Sequence, residues 1–411
     1  MGDLSPHLRL IDEQNEFWLE LLGRWCEISS GTYHLAGLAK MADALAEAFG
    51  VFGDVRRIDL PASTQIDSAG VEIALPLGQA LSIVRRPNAP LRVLLLIHYD
   101  TVYGPENPFR QVRVLPNGHW NGPGVVDAKG GIVVMLAALH ALEASPLAER
   151  IGWEVILNPD EEIGSPGSAK LLDEAARRND FGLLFEPALA DGSLVGERKG
   201  SGNFTIVVRG RAAHAGRDFA AGRSAVVALA NLIVQASNRS AGITLNCGQI
   251  SGGGAVNIVP DLAIGRFNAR ISRPEEAGQI VDLFHELIAE ANQRDGITAT
   301  LHGSFSSPPK LLDAGSIKLL ESARICGEQL GMELRWQSSG GTCDGNRLAA
   351  AGLPLIDTMG PVGGALHSVG EYLHPQSIAA RAKLTAVLLM RAARRHEGTG
   401  KSVDEFSAGP I

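Results

Sequence analysis

The chain has 411 residues, a length that predicts more than one domain. Its composition, 45% hydrophobic and 20% charged, is that of an ordinary globular protein. The formal net charge is −8, and the lysine and arginine residues are scattered. Because binding to phosphates needs a clustered basic face, these features exclude nucleic acid as the main partner.

The four cysteines, Cys26, Cys247, Cys326 and Cys343, lie far apart in the sequence. This spacing predicts neither a thiolate zinc site nor a disulfide framework. The first residues contain no basic segment followed by an apolar core, and no apolar run approaches the ~20 residues that span a bilayer. A cytoplasmic location without membrane contact is therefore the expectation.

The first half of the chain alternates between strand and helix patterns. Helices are predicted over 8–27, 38–49, 130–142 and 166–176, and strands over 91–97, 153–157 and 183–185. The run 91–97 is almost continuously apolar, which is typical of a strand covered on both faces. The alternation predicts an α/β domain with a mostly parallel sheet flanked by helices.

The pattern changes near Gly200. The next predicted elements are a strand at 204–208, a helix at 225–236, strands at about 243–250 and 263–271, a helix at 274–294 and a strand at 297–302. This is the element order of a small α+β sandwich. The α/β pattern then returns, with helices over 316–329, 346–351 and 376–395 and strands near Leu334 and over 354–358. We therefore predict one domain made of residues 1–199 and 309–396, a second domain of residues 200–308 inserted into it, and a disordered tail at 397–411.

Acidic residues and histidines stand where the predicted strands end, which is where α/β proteins build their sites. They are His98 and Asp100 after 91–97, Glu161 and Glu162 after 153–157, Glu186 after 183–185, Asp127 in Gly-Val-Val-Asp-Ala-Lys-Gly-Gly, and His367 in Gly-Gly-Ala-Leu-His-Ser. Imidazole and carboxylate donors together predict a metal site, for which zinc is the best match. Two zinc ions ~3.5–4 Å apart can activate a water for amide hydrolysis.

Each motif alone also has a plainer interpretation. His98 and Asp100 can belong to a solvated loop, and Asp127 among glycines can belong to a turn. Glu161 and Glu162 can form part of a solvated acidic loop, although adjacent carboxylates repel and a cation would compensate them. One of the pair can bind metal while the other moves protons. The hypothesis of a metal site depends on the whole set.

The set resembles the M20 family of dinuclear zinc metallopeptidases and amidohydrolases, and most of all its glutamate carboxypeptidase branch. The matching motifs are Ile-His-Tyr-Asp-Thr-Val, Gly-x-x-Asp-x-Lys-Gly-Gly, Asp-Glu-Glu-Ile-Gly-Ser, Phe-Glu-Pro and Ala-Leu-His-Ser. They extend the resemblance over residues 8–395. It implies a zinc-exopeptidase-like α/β domain and an inserted ferredoxin-like sandwich that serves as a lid and dimerisation domain.

The resemblance also implies a role for each residue of the predicted metal site. His98 and Glu186 would bind one zinc, Glu162 and His367 the other, and Asp127 would bridge both. Glu161 would be the general base, Asp100 would orient His98, and the Asp127–Ala128 peptide bond would be cis. Cobalt or manganese would fit the same donors.

Further matches imply residues that bind substrate. His214, in the lid segment 210–216, would support the oxyanion in the partner subunit's site. Arg270 would hold the substrate carboxylate, which suits the geometry of a guanidinium. Asn257, Gly341 and Thr342 would line the pocket. A phosphate-binding loop at the glycines 252–254 is rejected, because no Lys-Ser/Thr pair follows them.

Two departures from the family concern specificity. The chain has Gly341-Thr342-Cys343-Asp344 where relatives commonly have Gly-Thr-Asp, and no arginine occurs at 302–307, where the glutamate carboxypeptidase branch has a basic residue. The prediction is a cytoplasmic, homodimeric hydrolase of N-acyl amino acids or small peptides with a free α-carboxylate. The alternatives are an aminopeptidase or dipeptidase of the same clan and a non-catalytic, metal-dependent ligand-binding protein.

Overall fold

The computed structural model describes residues 4–240 and 242–395, so the predicted disordered tail lies outside the described residues. Three helices come first: α1 (Ser5–Glu13), α2 (Asn15–Cys26) and α3 (Leu35–Phe49). The prediction of a single helix over 8–27 is wrong, because the backbone leaves the helical conformation at Gln14 (φ −101°, ψ 12°). The break lets both short helices bury apolar side chains in the main core, among them Ile11 of α1 and Trp18 of α2.

The middle of the chain supplies most of the main sheet. Its elements are β1 (Val55–Ile58), β2 (Ser63–Ile66), β3 (Glu72–Leu75), β4 (Ala80–Arg85), β5 (Arg92–His98), β6 (Arg113–Val114), β7 (Trp120–Asn121), α4 (Lys129–Glu143), β8 (Gly152–Asn158), α5 (Ala169–Arg178), β9 (Phe181–Leu184) and β10 (Leu194–Arg198). The segment 55–85, over which we predicted no element, forms four strands. Their exposed residues, as in the middle of β1, obscure the apolar pattern of a strand.

The remaining elements complete the main sheet, form a second sheet of four strands and contribute to three further ones. They are β11 (Gly200–Arg209), β12 (Ala213–His214), α6 (Ala225–Arg239), β13 (Thr244–Gly252), β14 (Ile258–Val259), β15 (Leu262–Ile271), α7 (Glu276–Asn292), β16 (Thr298–Ser307), α8 (Ala314–Gln329), β17 (Trp336–Ser339), α9 (Asp344–Ala350), β18 (Leu355–Ile356), β19 (Gly363–Gly364), β20 (Tyr372–Leu373) and α10 (Gln376–Arg395). Among the described residues, no helix has both the length and the apolar character that crossing a membrane requires.

The main sheet has the order β1-β4-β8-β5-β9-β18. Strands β8, β5, β9 and β18 run parallel, while β4 and β1 form an antiparallel edge. The central strand β5 is buried along nearly its whole length, and α4 is buried on almost every side. The predicted α/β domain with a mostly parallel sheet is therefore confirmed.

Residues 200–307 form a second layer, called the sandwich below. Its antiparallel sheet has the order β13-β15-β11-β16, and the element order β11-α6-β13-β15-α7-β16 is that of a ferredoxin-like fold. Phe204, Phe267 and Phe284 pack together between this sheet and its helices. The hairpin β2–β3 packs against the opposite face of the sheet, where Ile66 joins a small apolar cluster.

Candidate metal centre and active site

Three neighbouring parallel strands bring the predicted ligands to one edge of the main sheet. His98 is the last residue of β5, and its side chain is buried. Glu161 and Glu162 lie in a single 3₁₀ turn just after β8, and Glu186 lies two residues after β9. Because β8, β5 and β9 are adjacent, their carboxyl ends place these groups side by side.

Asp127 reaches the same edge from the loop that precedes α4, and the Asp127–Ala128 peptide bond is cis. The buried carboxylate of Glu371 fixes this loop. Its oxygens accept hydrogen bonds from the backbone N–H groups of Gly124 (3.2 Å), Val126 (3.0 Å) and Asp127 (3.1 Å). The hydroxyl of Tyr103 donates a further bond to Glu371 at 2.8 Å.

The two oxygens of Asp127 face two different imidazoles. Oδ1 lies 3.1 Å from His98 Nε2, and Oδ2 lies 3.3 Å from His367 Nε2. Each imidazole also has a second carboxylate near it: Glu186 is 3.8 Å from His98 Nε2, and Glu162 is 3.2 Å from His367 Nε2. The arrangement has two halves that share Asp127, and the ligand atoms of His98, Asp127 and Glu162 all lie within 4.8 Å of one another.

Asp100 connects His98 with the turn that contains Glu161 and Glu162. Its Oδ1 lies 3.3 Å from His98 Nδ1 and accepts a hydrogen bond from the backbone N–H of Glu161 at 3.2 Å. Its Oδ2 accepts from the N–H of Glu162 at 3.3 Å and from the hydroxyl of Thr32 at 2.7 Å. One fully buried carboxylate thus positions both the imidazole and the acidic turn.

The electrostatics of the cluster indicate a place for a cation. Burial raises the pKa of Glu186 to about 8, and burial also raises the pKa of Glu162. Hydrogen bonds to Asp127 and Glu162 raise the pKa of His367 to about 10. Burial would raise the pKa of Asp127, but its bonds to His367 and His98 hold that pKa well below the usual range. Carboxylates this close keep protons unless a positive ion compensates their charge.

Glu161 stands apart from the ligand contacts. Burial, together with the charges of Glu186, Asp344 and Glu162, raises its pKa well above that of a free glutamate, although His98 opposes the shift. A carboxyl group with a raised pKa can both accept and donate a proton near neutral pH.

Asp344, one of the charges near Glu161, is itself buried. It accepts hydrogen bonds from Asn158 Nδ2 at 2.7 Å and from the Ser165 hydroxyl at 2.5 Å. These bonds connect the start of α9 to the end of β8 and to the loop that carries Glu161. Asp344 therefore helps to fix the position of the acidic turn.

Arg270 on β15 lies against the loop before α9. Its Nε donates to Asn268 Oδ1 at 2.9 Å, and its Nη1 lies 3.5 Å from Thr342 Oγ1. The carbonyl of Gly341, in the same loop, accepts a bond from Arg198 Nη1 at 3.3 Å. Three of the four predicted substrate-binding residues are therefore brought together.

His214 and Asn257 lie elsewhere. His214 is in β12, which pairs with β14 as a two-stranded ribbon, and Asn257 directly precedes β14. The N–H of Ala215 donates to the carbonyl of Asn257 at 2.9 Å, and His214 is exposed. Neither side chain makes a described contact with the metal cluster of the same chain. The roles predicted for them, His214 in a partner's site and Asn257 in substrate binding, stay predictions.

The sequence analysis assigned no role to four positions that support the site: Thr32, Arg198, Asp344 and Glu371. Each holds a predicted site residue or its loop through a contact between segments far apart in the chain. Two of them have a local signal: Asp344 ends the segment compared with the Gly-Thr-Asp of relatives, and Glu371 lies four residues after His367. An acid in a loop is too common to be selected on that basis.

Comparisons with known proteins agree with this geometry. The model of peptidase family M20/M25/M40 matches residues 94–391. Carboxypeptidase G2 from Pseudomonas sp. (strain RS-16) is 29% identical over 311 residues, which cover 72% of this chain and 73% of that protein. Succinyl-diaminopimelate desuccinylase from Stutzerimonas stutzeri (strain A1501) is 27% identical over 285 residues, 65% of this chain and 72% of that protein.

The fold also matches a solved structure along most of its length. A tripeptidase from Staphylococcus aureus subsp. aureus Mu50 superimposes with a TM-score of 0.71 at 23% identity, covering 92% of this chain and 99% of that one. The predicted family, fold and type of enzyme are therefore confirmed. The chain belongs to peptidase family M20/M25/M40 and is a metallopeptidase-type hydrolase of peptide or amide bonds.

Proposed function

We propose that the protein uses two zinc ions to hydrolyse the amide bond of N-acyl amino acids or short peptides with a free α-carboxylate. The observation that supports this most is the position of Asp127, whose two oxygens face His98 and His367 separately. Glu186 and Glu162 complete the two halves. Nitrogen and carboxylate donors of this kind fit zinc, and they would also accept cobalt or manganese.

When bound there, two such ions supply Lewis acidity and lower the pKa of water. The proton transfers belong to Glu161. Its raised pKa lets the carboxylate take a proton from the attacking water and deliver it to the departing nitrogen. Asp100 contacts both the backbone of Glu161 and the imidazole of His98, and it therefore fixes the position of the base relative to the proposed ligand.

Arg270 is the proposed partner of the substrate's α-carboxylate. It is half-buried, and its bond to Asn268 orients the guanidinium toward the loop that contains Gly341 and Thr342. A guanidinium held in this way can bind a carboxylate through two parallel hydrogen bonds. Gly341 and Thr342 would add backbone and hydroxyl contacts beside it.

The first test is hydrolysis by the zinc-loaded protein of N-acetyl and N-benzoyl amino acids and dipeptides, with and without chelator. We expect turnover that the chelator abolishes. In Glu161→Gln, kcat should fall by ~10²–10⁴-fold while zinc stoichiometry is retained. Glu333→Gln is the control, because Glu333 is exposed. Full activity of Glu161→Gln would refute the role of the base, and dependence on a free amine would favour an aminopeptidase.

We further propose that residues 200–308 act as a lid and dimerisation domain between the two catalytic segments, 1–199 and 309–396. Strand β13 is an edge of its sheet, and Ile250 on it is 60% exposed. On α6, Val227 and Val234 are also exposed. An edge strand and apolar side chains left open in one chain suit pairing with a second copy.

A dimer would let His214 serve the partner's site. Mixing His214→Ala with Glu161→Gln tests this arrangement, because only a mixed dimer contains one complete site. We expect each variant alone to be inactive and the mixture to recover about a quarter of wild-type activity. An active monomer, shown by sedimentation, would contradict the proposal. The cytoplasm stays the proposed location, because the four cysteines are widely spaced in the sequence and predict no disulfide framework.

A further inference from the structure

Beside the metal centre, a cavity of about 820 Å³ lies between the hairpin β2–β3 and the face of the sandwich sheet opposite its helices. Glu162 lines it, so the cavity opens onto the metal cluster. Its walls include Tyr33 and Gln65 on one side and Asn203 on the other. The volume lies within the range of small-molecule sites, and an acetyl group would fill a small part of it.

One row of side chains joins this cavity to the proposed carboxylate site. Arg266, Asn268 and Arg270 are alternate residues of β15, so they share one face of the strand. Arg270 lies at the Thr342 end of the row, and Arg266 and Asn268 line the cavity. At ~3.3 Å per residue, the backbone positions of the two arginines are ~13 Å apart. A substrate lying along this row would have a cation near each end.

Arg266 is held in place before any substrate binds. Its Nη2 donates to the carbonyl of Ile66 at 2.5 Å, and its side chain is half-buried. The hairpin that supplies this carbonyl is itself fixed by Ile66, which packs against Val207 and Ile264. A guanidinium has five N–H donors, so one bond to the hairpin leaves others for a ligand. An anchored, partly desolvated cation of this kind selects acceptor groups and anions.

The other charges around the cavity limit what Arg266 can attract. Glu72 lines the same wall and lies 3.8 Å from His302 Nδ1. Its side chain is 60% exposed, so water screens it more than it screens Arg266. Glu162 belongs to the proposed metal ligands and would be neutralised there. Among the described residues that line this cavity, Arg266 is thus the only arginine.

We propose that this cavity binds the acyl part of the substrate and that Arg266 determines specificity for a long acyl group with an anionic distal end. The inference depends on the proposed function and names its substrate class: amides with one carboxylate at Arg270 and a second one at Arg266. Hydrolysis itself is unchanged; water adds to the amide carbonyl, the C–N bond breaks, and the nitrogen leaves with the proton.

Two series of N-acyl derivatives of one amino acid test the proposal with the zinc-loaded full chain. One series has ω-carboxyacyl groups of increasing length, from succinyl to suberoyl; the other has methyl-terminated acyl groups of the same lengths. We expect kcat/KM to favour the carboxylate at the longer lengths by ~10–100-fold, as for a hydrogen bond to a charged group. Arg266→Ala should abolish that preference, and Glu72→Gln should strengthen it.

Arg209→Ala is the matched control. Arg209 also lies on the sandwich sheet and donates to hairpin carbonyls, those of Ala69 (2.9 Å) and Gly70 (3.1 Å), but it does not line the cavity. If Arg266 merely anchored the hairpin, both variants would lose the preference, and the proposal would be overturned. It would also be overturned by equal rates for the two series in the wild type. Absence of chelator-sensitive turnover in both series would instead refute the proposed function, and this inference with it.

Discussion

Replacing Asp357 by asparagine should destabilise the junction between the two layers of the molecule. Asp357 is fully buried, and its carboxylate binds two cations: Arg198 through Nε at 2.8 Å and Lys310 through Nζ at 2.6 Å. Arg198 and Lys310 lie where the chain enters and leaves the sandwich. Their backbones also exchange two hydrogen bonds of 3.0 Å. The Asp357 carboxylate therefore binds both of the segments that connect the sandwich to the main domain.

The expected cost follows from the burial of the two cations. The side chains of Arg198 and Lys310 are 8% and 1% exposed, so water cannot replace the lost partner. Lys310 keeps its bond to the carbonyl of Val195, and Arg198 keeps its contact with Gly341. Removing one member of a buried ion pair costs ~3–5 kcal/mol, and we expect Asp357→Asn to lower the free energy of unfolding by this amount.

The effect should depend on pH in a defined direction. Burial would raise the pKa of Asp357, but Arg198 and Lys310 outweigh burial and hold it below the usual range. The pKa of Asp357 is thus lower in the folded protein than in the unfolded chain, where it is ~3.9. The carboxylate therefore stabilises the protein fully at pH values above ~3.9. That stabilisation is lost as the pH falls through the lower, folded value. Because asparagine does not titrate, the stability of Asp357→Asn should fall less than that of the wild type as the pH is lowered through this range.

Urea unfolding at neutral pH, followed by tryptophan fluorescence and circular dichroism, measures the cost, with separate transitions fitted separately. Glu333→Gln is the control, since Glu333 and its partner Arg335 are 76% and 75% exposed and such pairs contribute ~0–1 kcal/mol. A cost for Asp357→Asn as small as that of the control would refute the reasoning. Replacing Asp357, Arg198 and Lys310 together by apolar residues should recover most of the loss.

Two further predictions concern the loop that carries Asp127 and the packing around two glycines. Glu371→Gln removes the charge that orders the backbone of Asp127, so zinc affinity, measured by chelator competition, should fall ~10–100-fold; unchanged affinity would contradict this. A Cβ on Gly131 would lie 2.0 Å from the carbonyl oxygen of Phe185, so Gly131→Ala should lower the unfolding free energy by about 3 kcal/mol. Gly278, in α7, has open space around it, and Gly278→Ala should instead stabilise the protein by up to ~1 kcal/mol. Equal thermal shifts for the two variants would rule out the packing argument.

The sequence alone determined the parts of the fold that depend on local patterns. The apolar run 91–97 predicted a strand buried on both faces, and β5 is that strand. The motifs around His98, Asp127 and Glu162 predicted the candidate metal cluster, because each of these residues follows a strand end or a turn that local residues specify. Exposed residues obscured the strands of 55–85, and the break at Gln14 lies within an unbroken helical pattern.

Only the tertiary structure decided which distant groups support those motifs. Asp100 meets Thr32, Asp127 meets Glu371, and Arg266 meets the hairpin at Ile66; each pair is separated by tens to hundreds of residues. No periodicity links such partners, because a hydrogen bond between distant segments leaves no repeating pattern in the sequence. Their positions follow from the order of the strands and the packing of the sandwich on the main sheet, which is why the candidate ligands could be predicted and the groups that hold them could not.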